Sequence, residues 1–363
     1  MQHARELTCA RVFNSRWSEW QRVTDANRGG VYLTQGKLAL ALADFNQSLH
    51  LDPKSVECLL QRWVRLGTSV ASSARCSSNG RYQMAIALNA TTVTAQPINP
   101  GVTRQRLLTP ELVDNSDVLL DRLTLAPGAS TRFEPAAKSL VWLHVLAGEA
   151  KLETLYYRDR LTDTHSAVLP PGFPATISTD NGASLLYVEI PDAARLDQGF
   201  SATPPLFTVI NWTREPVLKS KSDGRMRVAL VSPELCQTAA IKIQMVIYPP
   251  GSTASSYHHE GAASFMYILS GRGEAWADGQ RLRIRPGDVV YFPDRERHHL
   301  KAADDSELRF LVFYAPGEFK TVWADPSKAN AWVSTERDIN GYETAQDERE
   351  RRAYNRGGGG FIV

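Results

Sequence analysis

Residues 251–271, GSTASSYHHEGAASFMYILSG, and residues 286–299, PGDVVYFPDRERHH, contain the pattern that decides the fold. In each, a turn marked by Gly or Pro-Gly adjoins a short run of β-branched and aromatic residues, which is typical of an all-β sandwich or barrel. Each also contains an adjacent histidine pair, His258-His259 and His298-His299. Imidazoles from separate strands can meet on one metal ion, so the two pairs indicate a candidate metal site.

The β-rich pattern occurs twice in the chain. LAPGAST (125–131) matches YPPGSTA (248–254) at an offset of 123 residues, and WLHVLAGEAKLE from Trp142 matches MYILSGRGEAWA from Met266 at an offset of 124. LPPGFPATIS from Leu169 then matches IRPGDVVYFP from Ile284 at an offset of 115, because the first copy has a longer excursion around YYRDRLTDTHSA. Two tandem copies of one β-domain follow from these matches.

The residues before the two copies have a different pattern. Residues 16–66 show apolar and small residues at helical spacing, so we expect a helical arm over residues 1–85. Residues 22–54 resemble a single tetratricopeptide repeat, carried by Gly29, Tyr32, Gly36, Ala41, Phe45, Ser48 and Pro53. Three interpretations stay open: a partner-docking module, a cap on the next domain, or an upstream extension. After the β-copies, residues 326–363 predict a helix or loop followed by a flexible tail.

The second copy resembles the cupin signature. From Gly251, five residues lead to Tyr257-His258-His259, four more to Ser264, and six more to Gly271, while Pro286 begins the second motif and His298 stands at its third-histidine position. The resemblance implies an all-β jelly-roll bicupin, also called a double-stranded β-helix. We expect an N-terminal cupin barrel over 95–200 and a C-terminal barrel with the metal site over 201–325.

Two ligand positions of the signature are changed here, because Tyr257 replaces its first histidine and Ser264 its glutamate. Successive strand residues face opposite sides, so His258 and His259 cannot both face inward on a regular strand. One register gives His259 and His298, with Tyr257 beside them; a one-residue slip gives His258 and Glu260 instead. A bulge could admit both neighbouring histidines. The candidate metal ligands are His258, His259 and His298.

Other residues receive candidate roles in the same barrel. Tyr257 and Glu260 are candidate catalytic groups, Ser264 and Arg283 are candidate substrate contacts, and His299 is expected to face outward. The first copy lacks the site, since Glu134, Pro135, Ala136 and Val141 stand opposite Tyr257, His258, His259 and Ser264. We therefore predict that any activity belongs to the second barrel.

Composition excludes several classes of function. The 363 residues include 41 basic and 39 acidic ones, which gives no charge excess for nucleic acid or an anionic membrane. Four scattered cysteines and no long apolar run predict a soluble cytoplasmic protein. The cupin resemblance implies a monomer or homodimer, and the helical arm is a candidate docking site for a protein partner.

The resemblance implies one divalent transition metal, with Fe(II) favoured and Mn, Ni or Zn open. It also implies a small polar or anionic organic substrate, and dioxygenase-type oxidoreductase chemistry is the first expectation. The alternatives are a non-catalytic small-molecule-binding cupin with a docking arm, or a cupin isomerase or lyase.

Overall fold

In this computed structural model, the described residues are 72–76 and 82–344, apart from 114, 116 and 278. The segment that resembles a tetratricopeptide repeat lies outside them, as does the predicted tail after residue 344. The chain divides into two compact units, Met1–Ile86 with Glu111–Asp114 and Ala87–Pro110 with Asn115–Val363. Among the helices of the described part, none is long and apolar enough to cross a membrane.

The described part of the predicted helical arm is not helical. β1 (Ser72–Cys76) pairs antiparallel with β2 (Tyr82–Asn89). Pairing between two neighbouring segments decides this structure, because strand preference depends on cross-strand packing more than on the local sequence. The helical arm therefore has no support in residues 72–76 and 82–85.

The first barrel consists of two antiparallel sheets within the second unit. Its strands are β3 (Gln96–Asn99), β4 (Val102–Leu108), β5 (Leu119–Leu125), β6 (Ser130–Phe133), β7 (Leu140–Gly148), β8 (Ala150–Glu153), β9 (Arg158–Leu161), β10 (His165–Leu169), β11 (Ala175–Ser178), β12 (Ala183–Ile190) and β13 (Thr208–Asn211). The sheets have the orders β13-β10-β7-β12-β5-β4-β3 and β6-β11-β8-β9. Strand β13 extends this barrel beyond residue 200, the boundary that the sequence predicts.

The second barrel repeats this arrangement. Its strands are β14 (Val217–Ser220), β15 (Met226–Val231), β16 (Lys242–Tyr248), β17 (Tyr257–Glu260), β18 (Ala263–Ser270), β19 (Gly273–Ala277), β20 (Gln280–Ile284), β21 (Asp288–Phe292), β22 (His298–Ala302), β23 (Leu308–Ala315), β24 (Lys320–Trp323) and β25 (Trp332–Ser334). One sheet includes, in order, β21-β18-β23-β16-β15-β14-β25, and the other is β20-β19-β22-β17-β24. Where the sequence predicts a helix or loop after residue 326, β25 pairs with β14.

Helices are short and lie between strands. The described α-helices are α1 (Pro110–Val113), α2 (Ala193–Leu196) and α3 (Pro233–Cys236), and the 3-10 turns are Ala90–Thr92, Trp212–Arg214 and Pro326–Lys328. The fold is thus mostly β-sheet, as the sequence predicts.

Equivalent glycines end the central strand of each repeat. Gly148 and Gly271 both have positive φ, and a Cβ at either would clash with a backbone carbonyl, that of Gly182 or Glu307. Only glycine fits such a conformation at such a close approach. These glycines therefore explain why the motif after the apolar run recurs in both copies.

The two barrels pack together through aromatic side chains. On β7, Val141 and Leu143 belong to the apolar core of the first barrel. Trp142 alternates with them, and its ring lies 5.4 Å, edge-on, from that of Phe313 on β23. His144 is 2% exposed and stacks on Trp142 at 5.6 Å. Both residues are therefore part of the contact between the barrels.

We expect His144 to make folding sensitive to acid. Burial lowers the pKa of His144 to about 3, whereas an unfolded histidine titrates near 6.5. As the pH is lowered, the unfolded chain therefore binds the extra proton first. The free energy of unfolding falls as the pH drops from about 6.5 to about 3. Linkage sets an upper limit of about 1.4 kcal/mol per pH unit for this group.

The variant His144→Phe keeps an aromatic ring and removes the proton site. Between pH 6.5 and pH 5, the free energy of unfolding should fall by roughly 2 kcal/mol more in wild type than in this variant, as measured by urea unfolding. Measurements at pH 8, where the histidine is neutral in both states, give the packing cost separately. Parallel pH profiles for the two proteins would contradict the assignment.

Candidate metal and substrate site

The strand β17 presents alternate residues to opposite sides. His259 is 4% exposed, and Tyr257 and His259 both line the cavity of the second barrel. His258 lies on the other side, where its Nε2 is 3.6 Å from a carboxylate oxygen of Glu260. The same carboxylate is 3.8 Å from both the Arg295 guanidinium and the Lys320 ammonium. The structure therefore has the register with Tyr257 and His259 inward, without the slip that would turn His258 and Glu260 inward.

The third candidate ligand comes from β22. His298 is 1% exposed, and its Nδ1 lies 2.8 Å from the carbonyl oxygen of Glu296. A carbonyl only accepts, so Nδ1 carries the proton and Nε2 keeps its lone pair. For His259, Nδ1 lies 3.2 Å from the Thr321 hydroxyl, which leaves its Nε2 for another ligand.

The two inward imidazoles face each other. Their ring centroids are 5.3 Å apart, and within the described part of the chain neither buried Nε2 has a hydrogen-bond partner. Burial lowers the pKa of His298 to about 4 and that of His259 to about 2. Both rings are therefore neutral at physiological pH, which is the form in which an imidazole binds a metal.

Ser264 lies on β18, next to two strands whose side chains contact these rings. Its cross-strand neighbours are Phe292 and Tyr314. Phe292 stacks on His298 at 4.2 Å, and Tyr314 meets His259 edge-on at 5.0 Å. Ser264 is 1% exposed, and its Oγ has no partner among the described residues. A third unpaired polar atom thus faces the same interior.

Tyr257 completes the inward-facing group. Its ring centroid is 4.7 Å from that of His298 and 5.2 Å from that of His259. Burial raises the pKa of the phenol well above its usual value, so the group keeps its proton. In the part of the chain that is described, no cluster of three or more His, Cys, Asp or Glu could hold a metal. The two imidazoles are the strong donors, and Tyr257 and Ser264 provide neutral oxygens.

His259 lines a cavity of about 650 Å³. Its other lining residues include three cations that the sequence pattern did not indicate: Arg225, which is paired with Asp223, Arg227 on β15 and Lys242 on β16. A comparison of the two repeats could have indicated the last two. At the 123-residue offset, Arg227 corresponds to Arg104 of the first copy, and Lys242 corresponds to Leu119.

Two other sequence-selected residues lie elsewhere. Arg283 is exposed and lines a different surface depression with Arg272, Arg285 and Lys301. The structure therefore does not bring Arg283 to the histidines, because its strand turns it outward. His299 is half-buried and stacks on Trp276 at 5.6 Å, away from the paired rings.

The first barrel has no equivalent of this histidine pair. Val141, at the position of Ser264, is fully buried in an apolar core. His144 belongs to the contact between the barrels, and His165 bonds to hydroxyls of Thr162 and Thr164. The fold and the site thus define a double-barrel protein with a histidine-containing cavity in its second barrel.

Comparison with known proteins identifies the family. A family model described as a cupin domain matches residues 244–314. The oxalate-binding protein of Thermotoga maritima is 32% identical over 90 residues, which cover 24% of this chain and 74% of that protein. The chain belongs to the cupin superfamily.

More distant similarities concern the fold or a short segment. A variant of oxalate decarboxylase from Bacillus subtilis superposes with a TM-score of 0.54 at 16% identity, covering 66% of this chain and 79% of the decarboxylase. Quercetin 2,3-dioxygenase from Bacillus subtilis is 28% identical over 72 residues, 20% of this chain and 21% of that enzyme. The first similarity supports the bicupin fold.

The unpaired Ser264 hydroxyl gives a gain-of-binding prediction. In Ser264→Glu, a carboxylate would enter the interior that the two Nε2 atoms face, so we expect tighter binding of Mn(II) by on the order of tenfold or more. Titration of metal-free protein measures this change. The gain should vanish when His259→Ala is added, and an unchanged affinity in folded Ser264→Glu would show that this residue does not face the metal position.

Proposed function

We propose that the second barrel binds one divalent transition metal through His259 and His298 and acts on a small polar or anionic organic substrate. The observation that carries this proposal is the pair of facing, buried, neutral imidazoles whose Nε2 atoms have no partner within the described residues. A buried polar atom without a partner is costly, and a ligand at that position removes the cost. Two nitrogens alone bind weakly, so solvent or substrate oxygens complete the coordination.

The finer parts of the proposal concern the metal and the reaction. Fe(II) is favoured, with Mn, Ni and Zn open, because neutral imidazoles suit all four. The chemistry that such a metal supplies is Lewis acidity and, for iron, electron transfer to dioxygen. Dioxygenase-type oxidation is the reaction we favour. The similarity to quercetin 2,3-dioxygenase supports it, and the Mn(II) centres of Bacillus subtilis oxalate decarboxylase support metal binding in this fold.

The chain's own residues orient and protect the site. The Glu296 carbonyl fixes the tautomer of His298, and Thr321 contacts the far nitrogen of His259. Phe292 and Phe319 lie against the two imidazoles at 4.2 and 4.5 Å and keep water from those faces. Such contacts hold a ligand ring in one orientation.

Tyr257 is the proton-bearing group beside the imidazoles. Because its raised pKa keeps the phenol neutral, it can donate a hydrogen bond to a substrate oxygen. Glu260, the other candidate catalytic group, is on the outer side of β17 with His258. We therefore assign the proton-holding role to Tyr257 alone.

A second candidate function is a non-catalytic small-molecule-binding cupin. The observation that favours it is that Tyr257 and Ser264 stand where the cupin signature has a histidine and a glutamate. In addition, the described residues contain no cluster of three or more His, Cys, Asp or Glu that could hold a metal. The similarity to an oxalate-binding protein agrees with it. We also propose isomerase or lyase chemistry as an alternative reaction, a monomer or homodimer as the oligomeric state, and the N-terminal arm as a docking site for a partner.

Metal analysis of single-histidine variants separates the two candidates. Protein prepared anaerobically, and metal-free protein offered Fe(II), Mn(II), Ni(II) or Zn(II), should bind about one metal per chain. His259→Ala and His298→Ala should each lose that metal, because each removes one of only two nitrogen donors.

The neighbouring histidines supply matched controls. His258→Ala and His299→Ala alter the same two strands on their other faces and should retain the metal. Wild-type protein that binds none of the four metals, or retention of metal in folded His259→Ala and His298→Ala, would refute the metal site. In the first case the non-catalytic binding function becomes the better assignment.

A further inference from the structure

Three cationic side chains line the cavity next to His259: Arg225 is paired with Asp223, whereas Arg227 and Lys242 repel each other. Burial lowers the pKa of Arg227 and of Lys242, and the positive charge of Arg227 lowers that of Lys242 further. The Arg227 Nε is buried and has no hydrogen-bond partner among the described residues. Two acids also line the cavity, Glu234, which opposes the lowering of the Lys242 pKa, and Glu318, and both are exposed. Arg227 and Lys242 are half-buried, and a positive charge partly withdrawn from water is unfavourable unless an anion accompanies it.

The first barrel shows the same position with its charge compensated. Arg104 lies opposite Leu123 on the neighbouring strand, as Arg227 lies opposite Val246. In the first barrel the Arg104 guanidinium is 3.7 Å from the carboxylate of Asp121. The residue at the 123-residue offset from Asp121 is Gln244, which is neutral. The duplication therefore retains the arginine in the second barrel and replaces its acidic partner.

A second change between the repeats adds charge. Lys242 stands at the same offset from Leu119, so a cation replaces an apolar residue on the equivalent strand. Lys242 and Gln244 are two residues apart on β16 and line the cavity together. Compared with the first barrel, this wall has lost one negative charge and gained one positive charge.

Aromatic rings hold both cations and connect them to the imidazoles. The Arg227 guanidinium lies over the Trp332 ring at 4.4 Å. A guanidinium that stacks by its face keeps its edge for two parallel hydrogen bonds, which match a carboxylate. The Lys242 ammonium is 5.6 Å from the Phe319 ring, which itself is 4.5 Å from the ring of His259.

We propose that Arg227 on β15 and Lys242 on β16, with Gln244 two residues beyond Lys242, form a binding site for the carboxylate of a small organic acid. Anion binding here requires only this chain's residues. The further step, that the other end of the acid is directed toward His259 and His298, rests on the proposed function. The site thus limits the substrate to organic anions that a cavity of about 650 Å³ accepts.

Calorimetry on the metal-free full chain tests the anion site by itself. The probes are benzoate and malonate, with benzamide and malonamide as neutral isosteres of the same shape. Wild-type protein should bind the carboxylates at least about tenfold more tightly than the amides, with an affinity that falls as salt rises. Absence of carboxylate binding, equal binding of the amides, or tighter binding of inorganic phosphate would overturn the proposal.

Variants assign the binding to these residues. Arg227→Gln and Lys242→Gln should each weaken carboxylate binding by about 10- to 100-fold, the usual effect of losing one charged hydrogen-bond donor. Gln244→Asp should weaken it to a similar degree while leaving both cations in place, because it gives Arg227 the acidic partner that Arg104 has. Arg283→Gln, with the same charge change on the outer surface, is the control and should bind as wild type does.

The outcomes for this site and for the metal can be told apart. Carboxylate binding that persists in His259→Ala and His298→Ala, with no metal bound by wild type, would support the anion site and refute the metal site. Metal binding without carboxylate binding would do the reverse. Unchanged carboxylate affinity in folded Arg227→Gln and Gln244→Asp would refute the assignment even if a carboxylate binds elsewhere.

Discussion

The register of the strand β17 is the constraint on which the rest of the site depends. Because strand residues alternate between faces, a one-residue shift of β17 would turn His258 and Glu260 toward the interior in place of His259 and Tyr257. Pairing with β24 fixes the register, since Tyr257 lies opposite Trp323 and Glu260 opposite Lys320. In this register Glu260 meets a cation outside, and the interior receives a neutral imidazole and a neutral phenol. The chemistry of the cavity therefore follows from a backbone pairing.

The sequence predicts the fold and one half of the site well, for identifiable reasons. Turn glycines such as Gly251 and Gly271 mark strand ends, and counting from them identifies His259 and His298 as a possible inward pair. The structure brings these two residues together. Spacing cannot decide between neighbouring registers, so by itself it leaves His258 and Glu260 as candidates. The cross-strand partners of β17 decide the register.

The other half of the site depends on contacts that no local pattern records. Arg227 and Lys242 are on the paired strands β15 and β16, and both line one cavity. Arg283 also alternates with apolar residues along its strand, yet its side chain lies on the outward face. The comparison between repeats could have identified Arg227, because Asp121 has no acidic counterpart in the second copy.

The departures from the cupin signature and the differences between the repeats have one electrostatic consequence. Ser264 stands where the signature has a glutamate, and Gln244 stands where the first barrel has Asp121, so both changes remove a negative charge from one interior. A divalent metal at the imidazoles would add positive charge to a cavity that already contains Arg227 and Lys242. The two acids that line this cavity, Glu234 and Glu318, are exposed, so an anionic ligand would offset the interior positive charge more directly.

It follows that the metal and the organic anion should strengthen each other's binding. Each reduces the charge imbalance that the other creates, and thermodynamic linkage makes such coupling equal in both directions. A metal site with only two imidazole donors, weak when considered by itself, becomes adequate when a carboxylate occupies the same cavity. On this view the substitutions at Tyr257 and Ser264 do not mark a site that has decayed. If the proposed function holds, part of the ligand set would come from the substrate, and the full site would form only when the substrate is bound.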